Sequence, residues 1–157
     1  LMRKEKLPLR IGVGAIVINK ENKIFVGKRK DHPNNNKWQM PQGGVNDGED
    51  LFVALKRELE EETSIKKIKV LKEIEEWTEY ELPDYLLGNL WKGKYRGQKQ
   101  KWFIVKFLGN DEEINLKTKN PEFIEWKWVQ KEKLPKIIVD FKKHVYERLL
   151  IELKKII

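Results

Sequence analysis

Hydrophobic positions along the chain follow two periods. Residues 10–19 (RIGVGAIVIN) are apolar almost throughout and rich in Val and Ile, the pattern of a buried strand. Residues 24–30 read as a second strand, and Lys20-Glu21-Asn22-Lys23 between them as a turn, which predicts a hairpin. Residues 31–37 (DHPNNNK) carry loop chemistry. A short extended stretch at 38–40 leads into Pro41-Gln42-Gly43-Gly44, a tight segment of special backbone, and a further turn at 46–48. Residues 50–63 form a helix, with Leu51, Leu55 and Leu59 as its apolar stripe and Phe52 and Ala54 flanking it. Residues 68–82 read as one strand, 83–98 as a long loop with Gly88, Gly93 and Gly97, and 101–108 and 125–130 as two more strands. Ile138, Phe141, Val145, Leu149 and Leu153 recur at helical spacing, predicting an amphipathic C-terminal helix at about 136–156. Lys142, Lys143, Arg148, Lys154 and Lys155 fall mostly on its other side. No internal repeat or linker interrupts the pattern. Strands mixed with two main helices predict an α/β domain spanning 1–157, one mixed sheet covered by helices.

Composition narrows the class. The 157 residues suffice for one sizeable core, and 39% hydrophobic content with six Trp argues against disorder. No apolar run is long enough to span a membrane, and the start is too charged for a signal peptide, so a cytoplasmic protein is expected. Leu1 ahead of Met2 is read as a leftover residue at the start. The absence of Cys excludes disulfides, thiolate metal sites and a thiol nucleophile. His32 and His144 are too isolated to suggest a metal pair. Gly12-Val13-Gly14 lacks the third glycine of a dinucleotide fingerprint. Gly88, Gly93 and Lys94 show phosphate-loop spacing, but Tyr95 stands where Ser or Thr is required.

Charge is more telling in its distribution than in its total. The chain carries a formal +8, yet residues 47–62 hold seven acids against Lys56 and Arg57, a local −5 that leaves +13 for the remainder. Glu58, Glu61 and Glu62 fall at i, i+3 and i+4 of the predicted helix, where like charges repel. A solvated face is the ordinary reading of a charge run. Helical phase argues against it here. Glu58 and Glu62 lie nearly in line with Leu51, Glu61 falls beside Ala54, and only Glu60 points away with Lys56. Acids facing the protein need counter-charges. Arg57 supplies part, and a hard divalent cation, which takes oxygen ligands together with substrate phosphates, would supply the rest.

Gly43, Glu49 and the run Arg57-Glu58-Leu59-Glu60-Glu61-Glu62, closed by Ile65, resemble the Nudix box at 43–65 nearly position for position. Ser64 stands where the box has a glycine that ends the helix left-handed. Trp38-Gln39-Met40-Pro41-Gln42-Gly43-Gly44, Tyr80-Glu81-Leu82-Pro83, Gly97-Gln98-Lys99-Gln100-Lys101-Trp102-Phe103 and Pro121-Glu122-Phe123 extend the likeness to the bacterial RNA pyrophosphohydrolase branch, close to the plant-type diadenosine tetraphosphate hydrolases.

The resemblance implies the Nudix fold, an α/β/α sandwich whose box forms a loop–helix–loop. It implies Mg²⁺, with Mn²⁺ or another divalent cation able to substitute. It also implies hydrolysis of 5′-triphosphorylated RNA to the monophosphate with release of pyrophosphate, a trigger of RNA decay. Dinucleoside polyphosphates are the alternative substrate, and a non-catalytic RNA-binding module the alternative of another class. A monomer without an obligate protein partner is expected. Carried over residue by residue, Glu58, Glu61, Glu62 and Glu122 are the metal-binding carboxylates, and Gly43 brings backbone close to the metals. Arg57 orients Glu58 by an ion pair. Arg10 and Arg29 match basic positions beside the substrate, with Gln42, Gln98 and Lys99 as further contacts and Phe141 as an aromatic that could stack on a base. Glu61, Glu62 and Glu122 are all candidates for the general base.

Overall fold

The computed structural model describes residues 6–31 and 35–157. The chain start through Glu5, and His32 with its two successors, lie outside the described residues. The sheet is mixed and seven-stranded. Its centre is β1 (Leu9–Ile18) lying parallel to β6 (Gly97–Phe107), in unbroken register from Leu9 opposite Gly97 to Ile18 opposite Lys106. On the far side of β1, β2 (Ile24–Arg29) pairs at the hairpin end and then diverges, and β3 (Gln42–Gly44) fills the gap. β4 (Ile68–Glu73) and β5 (Thr78–Glu81) both run antiparallel to β6, and β7 (Phe123–Val129) closes the other edge on β2.

Each face of the sheet carries its own core. Val13, Ala15, Val17, Phe103 and Val105 pack against Ala54, Leu55 and Leu59 of α1 (Leu51–Thr63). Ile16, Ile18, Trp102 and Ile104, the alternate residues of the same strands, pack against Val145, Leu149 and Leu153 of the C-terminal helical segment. The result is the expected helix–sheet–helix sandwich of an α/β fold. Among the described residues no helix is long and apolar enough to cross a membrane.

α1 begins where the sequence places it. Asp50 is its N-cap, accepting from the amides of Phe52 and Val53 at 3.1 Å. It ends on Ser64, which adopts φ 67°. The missing glycine is therefore tolerated, with Ser64 Oγ donating to the Asn115 carbonyl at 2.8 Å.

Three elements differ from expectation. The strand expected over 68–82 is two, because the chain is bulged near Leu71 and then turns Ile74 into the core, leaving β4 and β5 as separate partners of β6. The strand expected to start at Lys101 starts at Gly97; its first residues are polar because Gln98 and Gln100 point into the interior. The helix expected over about 136–156 is broken into α2 (Leu134–Ile137), a single tight turn at Asp140–Lys142 and α3 (Lys143–Lys154). At the break Ile138 is extended, and the Ile137 carbonyl accepts from the Trp38 amide at 2.8 Å. Ile138 and Phe141 therefore pack from outside a helix. Lys142, expected on the solvent side, is buried.

Candidate active site

The box acids surround Arg57. Its Nε and Nη2 donate to the two oxygens of Glu49 at 2.9 and 2.8 Å, Nη2 also to the Gly44 carbonyl at 2.9 Å, and Nη1 to Glu58 at 2.8 Å and Glu61 at 3.4 Å. Glu49 is thus not part of the acidic face. It clamps the arginine that orients Glu58, and the Arg57 hydrogen bond, with the Asn46 amide, pulls its carboxyl down to about 2. Planar two-point pairing of this kind suits arginine and not lysine.

The acids differ sharply in exposure. Glu62 is 2% exposed, the Glu58 side chain 15% and the Glu61 side chain 60%. The expectation that all three face the protein holds for Glu58 and Glu62. Glu61 sits at the rim, because at i+4 from Arg57 it reaches back toward the guanidinium. Glu60 points to solvent as expected, where Lys66 lies 3.6 Å away. Glu122 arrives from the segment before β7, and Glu58, Glu61, Glu62 and Glu122 line one cavity of about 1100 Å³. Neither carboxylate oxygen of Glu62 has a hydrogen-bond partner of ordinary geometry. Burial, then the charges of Glu122 and Glu58, push its carboxyl well above the usual range. Burial also raises Glu58, against the pull of Arg57.

Among the described residues no three acidic or His side chains converge as a finished metal-ligand group. The donor set nonetheless fits a hard divalent cation. It is all oxygen, it is negative, and it includes a buried carboxylate that forms no ion pair among the described residues. Gly43 is required for this packing: a Cβ there would lie 2.0 Å from Glu58 Oε2. On the next residue a Cβ would lie 2.1 Å from Arg10 Nη2. The Gly43–Gly44 part of β3 is therefore a wall without side chains, with Glu58 against one glycine and Arg10 against the other.

The cationic side is richer than the sequence indicates. Arg29 is held by Asp31 in a two-point pair at 2.9 and 2.7 Å, and the charges of Glu122 and Glu62 reach it. The Arg10 guanidinium lies over Trp91, 5.3 Å from the ring centroid. Lys142 was missed altogether. Its ammonium lies 4.9 Å from the Tyr80 ring centroid and 5.8 Å from that of Phe141, and burial lowers it to about 8. The charges of Arg29, Asp31, Glu62 and Glu122 all act on it. No single-sequence signal separates it from the solvated lysines beside it. Phe141 packs on Tyr80 at 5.8 Å, and burial raises the Tyr80 hydroxyl to about 12. Gln42 and Gln98 are joined through Gln100. Lys99 does not join this group. Strand alternation turns it to the opposite face of β6 from Gln98, where its ammonium lies 5.3 Å from the Trp77 ring centroid.

Residues 8–149 match the family model described as NUDIX domain. The chain is similar to the RNA pyrophosphohydrolase of Pelagibacter ubique (strain HTCC1062), 58% identical over 154 residues, covering 98% of this chain and 97% of that one. It is also similar to the RNA pyrophosphohydrolase of Rhodopseudomonas palustris (strain BisA53), 46% identical over 160 residues, covering 97% and 91%. Among solved structures, the E. coli dihydroneopterin triphosphate pyrophosphohydrolase shares the fold at TM-score 0.71 with 19% identity, covering 94% of this chain and 99% of that one. A C. elegans Ap4A hydrolase binary complex does so at TM-score 0.66 and 22% identity, covering 94% and 99%.

Proposed function

The chain belongs to the Nudix family, and on that premise we propose that it hydrolyses the 5′-triphosphate end of RNA to a 5′-monophosphate, releasing pyrophosphate, with Mg²⁺ held by Glu58, Glu61, Glu62 and Glu122. The observation that carries this reading is the juxtaposition of the buried Glu62 and the nearby Glu122 with Arg29 and Lys142. The acids call for a cation and the bases for an anion, and a metal-bound polyphosphate satisfies both. The extent of identity to two RNA pyrophosphohydrolases supports RNA as its carrier.

A divalent ion bound there would draw charge from the phosphoryl oxygens and acidify a water. The protein's own groups do the rest. Arg57, fixed by Glu49 and the Gly44 carbonyl, holds Glu58 in one orientation. Arg10, Arg29 and Lys142 take the phosphate charge, and Gln42 and Gln98 contribute amide contacts. Water attacks phosphorus in line, the P–O–P bridge breaks, and the bridging oxygen leaves with the pyrophosphate. One carboxylate of Glu61, Glu62 and Glu122 accepts the proton. Phe141, over Tyr80, offers a face on which a base can stack.

The test is a comparison of kcat/KM, with Mg²⁺, on a 5′-triphosphorylated oligoribonucleotide and on diadenosine tetraphosphate. Preference for the RNA is expected. Faster turnover of the dinucleotide would replace this reading with the dinucleoside polyphosphate one, and no turnover of either would end both.

A further inference from the structure

We propose that Trp102 is a positioning residue for the substrate: its indole N–H orients three glutamine amides so that the cleft presents N–H donors, not carbonyl oxygens, to a phosphate oxygen. This rests on the phosphoanhydride reading above and deepens it.

The argument follows from what each group can donate. Trp102 is wholly buried, and an indole nitrogen can only donate. Its N–H is shared between Thr78 Oγ1 at 3.0 Å and Gln100 Oε1 at 3.2 Å. Turning the Gln100 amide over would set NH₂ against N–H, so its oxygen is fixed toward the indole. Gln100 Nε2 then faces the other way and donates to both Gln42 Oε1 and Gln98 Oε1. Those two oxygens are thereby committed inward, and both remaining NH₂ groups are turned away from Gln100: that of Gln42 toward the Tyr80 hydroxyl, that of Gln98 without a partner. One donor-only group at the base sets the polarity of the whole chain.

The far end is poised for an acceptor. Gln98 is wholly buried, yet its Nε2 has no partner. Buried donors are almost always paired, with protein or with ordered water, so the open Gln98 Nε2 is a donor that an acceptor from outside the chain can satisfy. It sits beside the charged groups of the site. Gln98 stands opposite Arg10 in the β1–β6 register, and a Cβ on Gly12 would lie 3.1 Å from Gln98 Nε2 and 2.9 Å from the Gly43 carbonyl oxygen. A phosphate oxygen approaching Arg10 therefore meets an amide that can only donate to it. An inverted amide would offer a carbonyl oxygen there and repel the anion.

The test removes the N–H without removing the ring. Site-specific replacement of Trp102 by 3-benzothienylalanine keeps the indole's shape and lacks its N–H; Trp102→Phe is the second variant. In ¹⁵N-labelled wild type, the Gln98 side-chain NH₂ signal should shift when inorganic pyrophosphate is added. Both variants should weaken pyrophosphate binding roughly 10-fold, the loss of a hydrogen bond to a charged group. On triphosphorylated RNA they should raise KM by a similar factor, with kcat within about two-fold of wild type. Thr78→Val removes the competing acceptor and hands the whole N–H to Gln100, so it should not raise KM. A mere packing defect would raise KM in all three. An unmoved Gln98 signal in wild type, unchanged pyrophosphate affinity in the benzothienyl variant, or an equal KM rise in Thr78→Val would each overturn the proposal. Failure of wild type to cleave the RNA would sink the functional reading instead, and the pyrophosphate titration would still decide the relay.

Discussion

Replacing Glu62 by glutamine should stabilise the metal-free protein, and by more as pH rises. The wild-type carboxyl is fully buried, has no hydrogen-bond partner of ordinary geometry, lies beside two other acids, and its folded-state value lies well above the ordinary 4.5. The sign follows from proton counting. Between 4.5 and the raised value the folded protein keeps a proton that the unfolded chain has lost, so stability falls as pH rises through that window. One proton corresponds to about 1.4 kcal/mol per pH unit at most. For a domain of this length each kcal/mol moves Tm by about 2–4 °C. The variant, which cannot ionise there, should therefore gain on wild type by up to about 3–5 °C per pH unit above pH 5. The assay is thermal unfolding in EDTA at half-unit steps from pH 5 to 9, comparing the two proteins at each pH. Mg²⁺ should then raise the wild-type Tm strongly and the variant's weakly, since the cation replaces the proton as counter-charge. A Tm difference that is flat across this range would show that Glu62 is not a desolvated, uncompensated acid, and the metal assignment would lose its main physical support.

Gly43→Ala should fold but lose at least about 100-fold in kcat, because its Cβ would displace the Glu58 carboxylate; steady-state kinetics with a circular-dichroism control checks this. Lys142→Met should lower kcat/KM on triphosphorylated RNA about 10-fold. Wild-type kcat/KM should fall as pH rises through about 8, where the buried ammonium loses its proton, and the variant should lack that limb. At the helix end, Ser64→Gly should be more stable than Ser64→Ala by about 1 kcal/mol in urea titrations, since both lose the bond to Asn115 and only glycine relieves the left-handed backbone.

The helix 51–63 was readable from sequence because cap, apolar stripe and box agree over one short stretch. Its acids were sorted correctly where burial follows helical phase, as for Glu58, Glu62 and Glu60. Phase failed at Glu61 because its neighbour Arg57 draws the side chain outward. The C-terminal helix was legible as α3 and illegible as a break, since the tie that ends α2 comes from Trp38, a hundred residues earlier in the chain. Lys142 was lost with it: once Asp140–Lys142 leaves the helical phase, no periodicity can say which way that side chain points. Glu49 was legible only as a position of the box, because its role depends on folding back onto Arg57. Local pattern thus gave the acidic half of the site. The cationic half is assembled by contacts distant in sequence.

The parallel pairing of β1 with β6 has a consequence for the timing of assembly. Arg10 meets Gln98 only after a loop of nearly ninety residues has closed, an entropic cost met before any contact rewards it. The acidic helix, by contrast, can form from its own cap and stripe. A chain emerging from the ribosome would therefore carry Glu58, Glu61 and Glu62 of the acidic helix well before Arg10 can meet Gln98. β6 is synthesised after the acidic helix and β7 later still, so the candidate cleft assembles only once both strands have been made. Partly made chains should be catalytically silent, and the burial of Glu62 is deferred to the same final step.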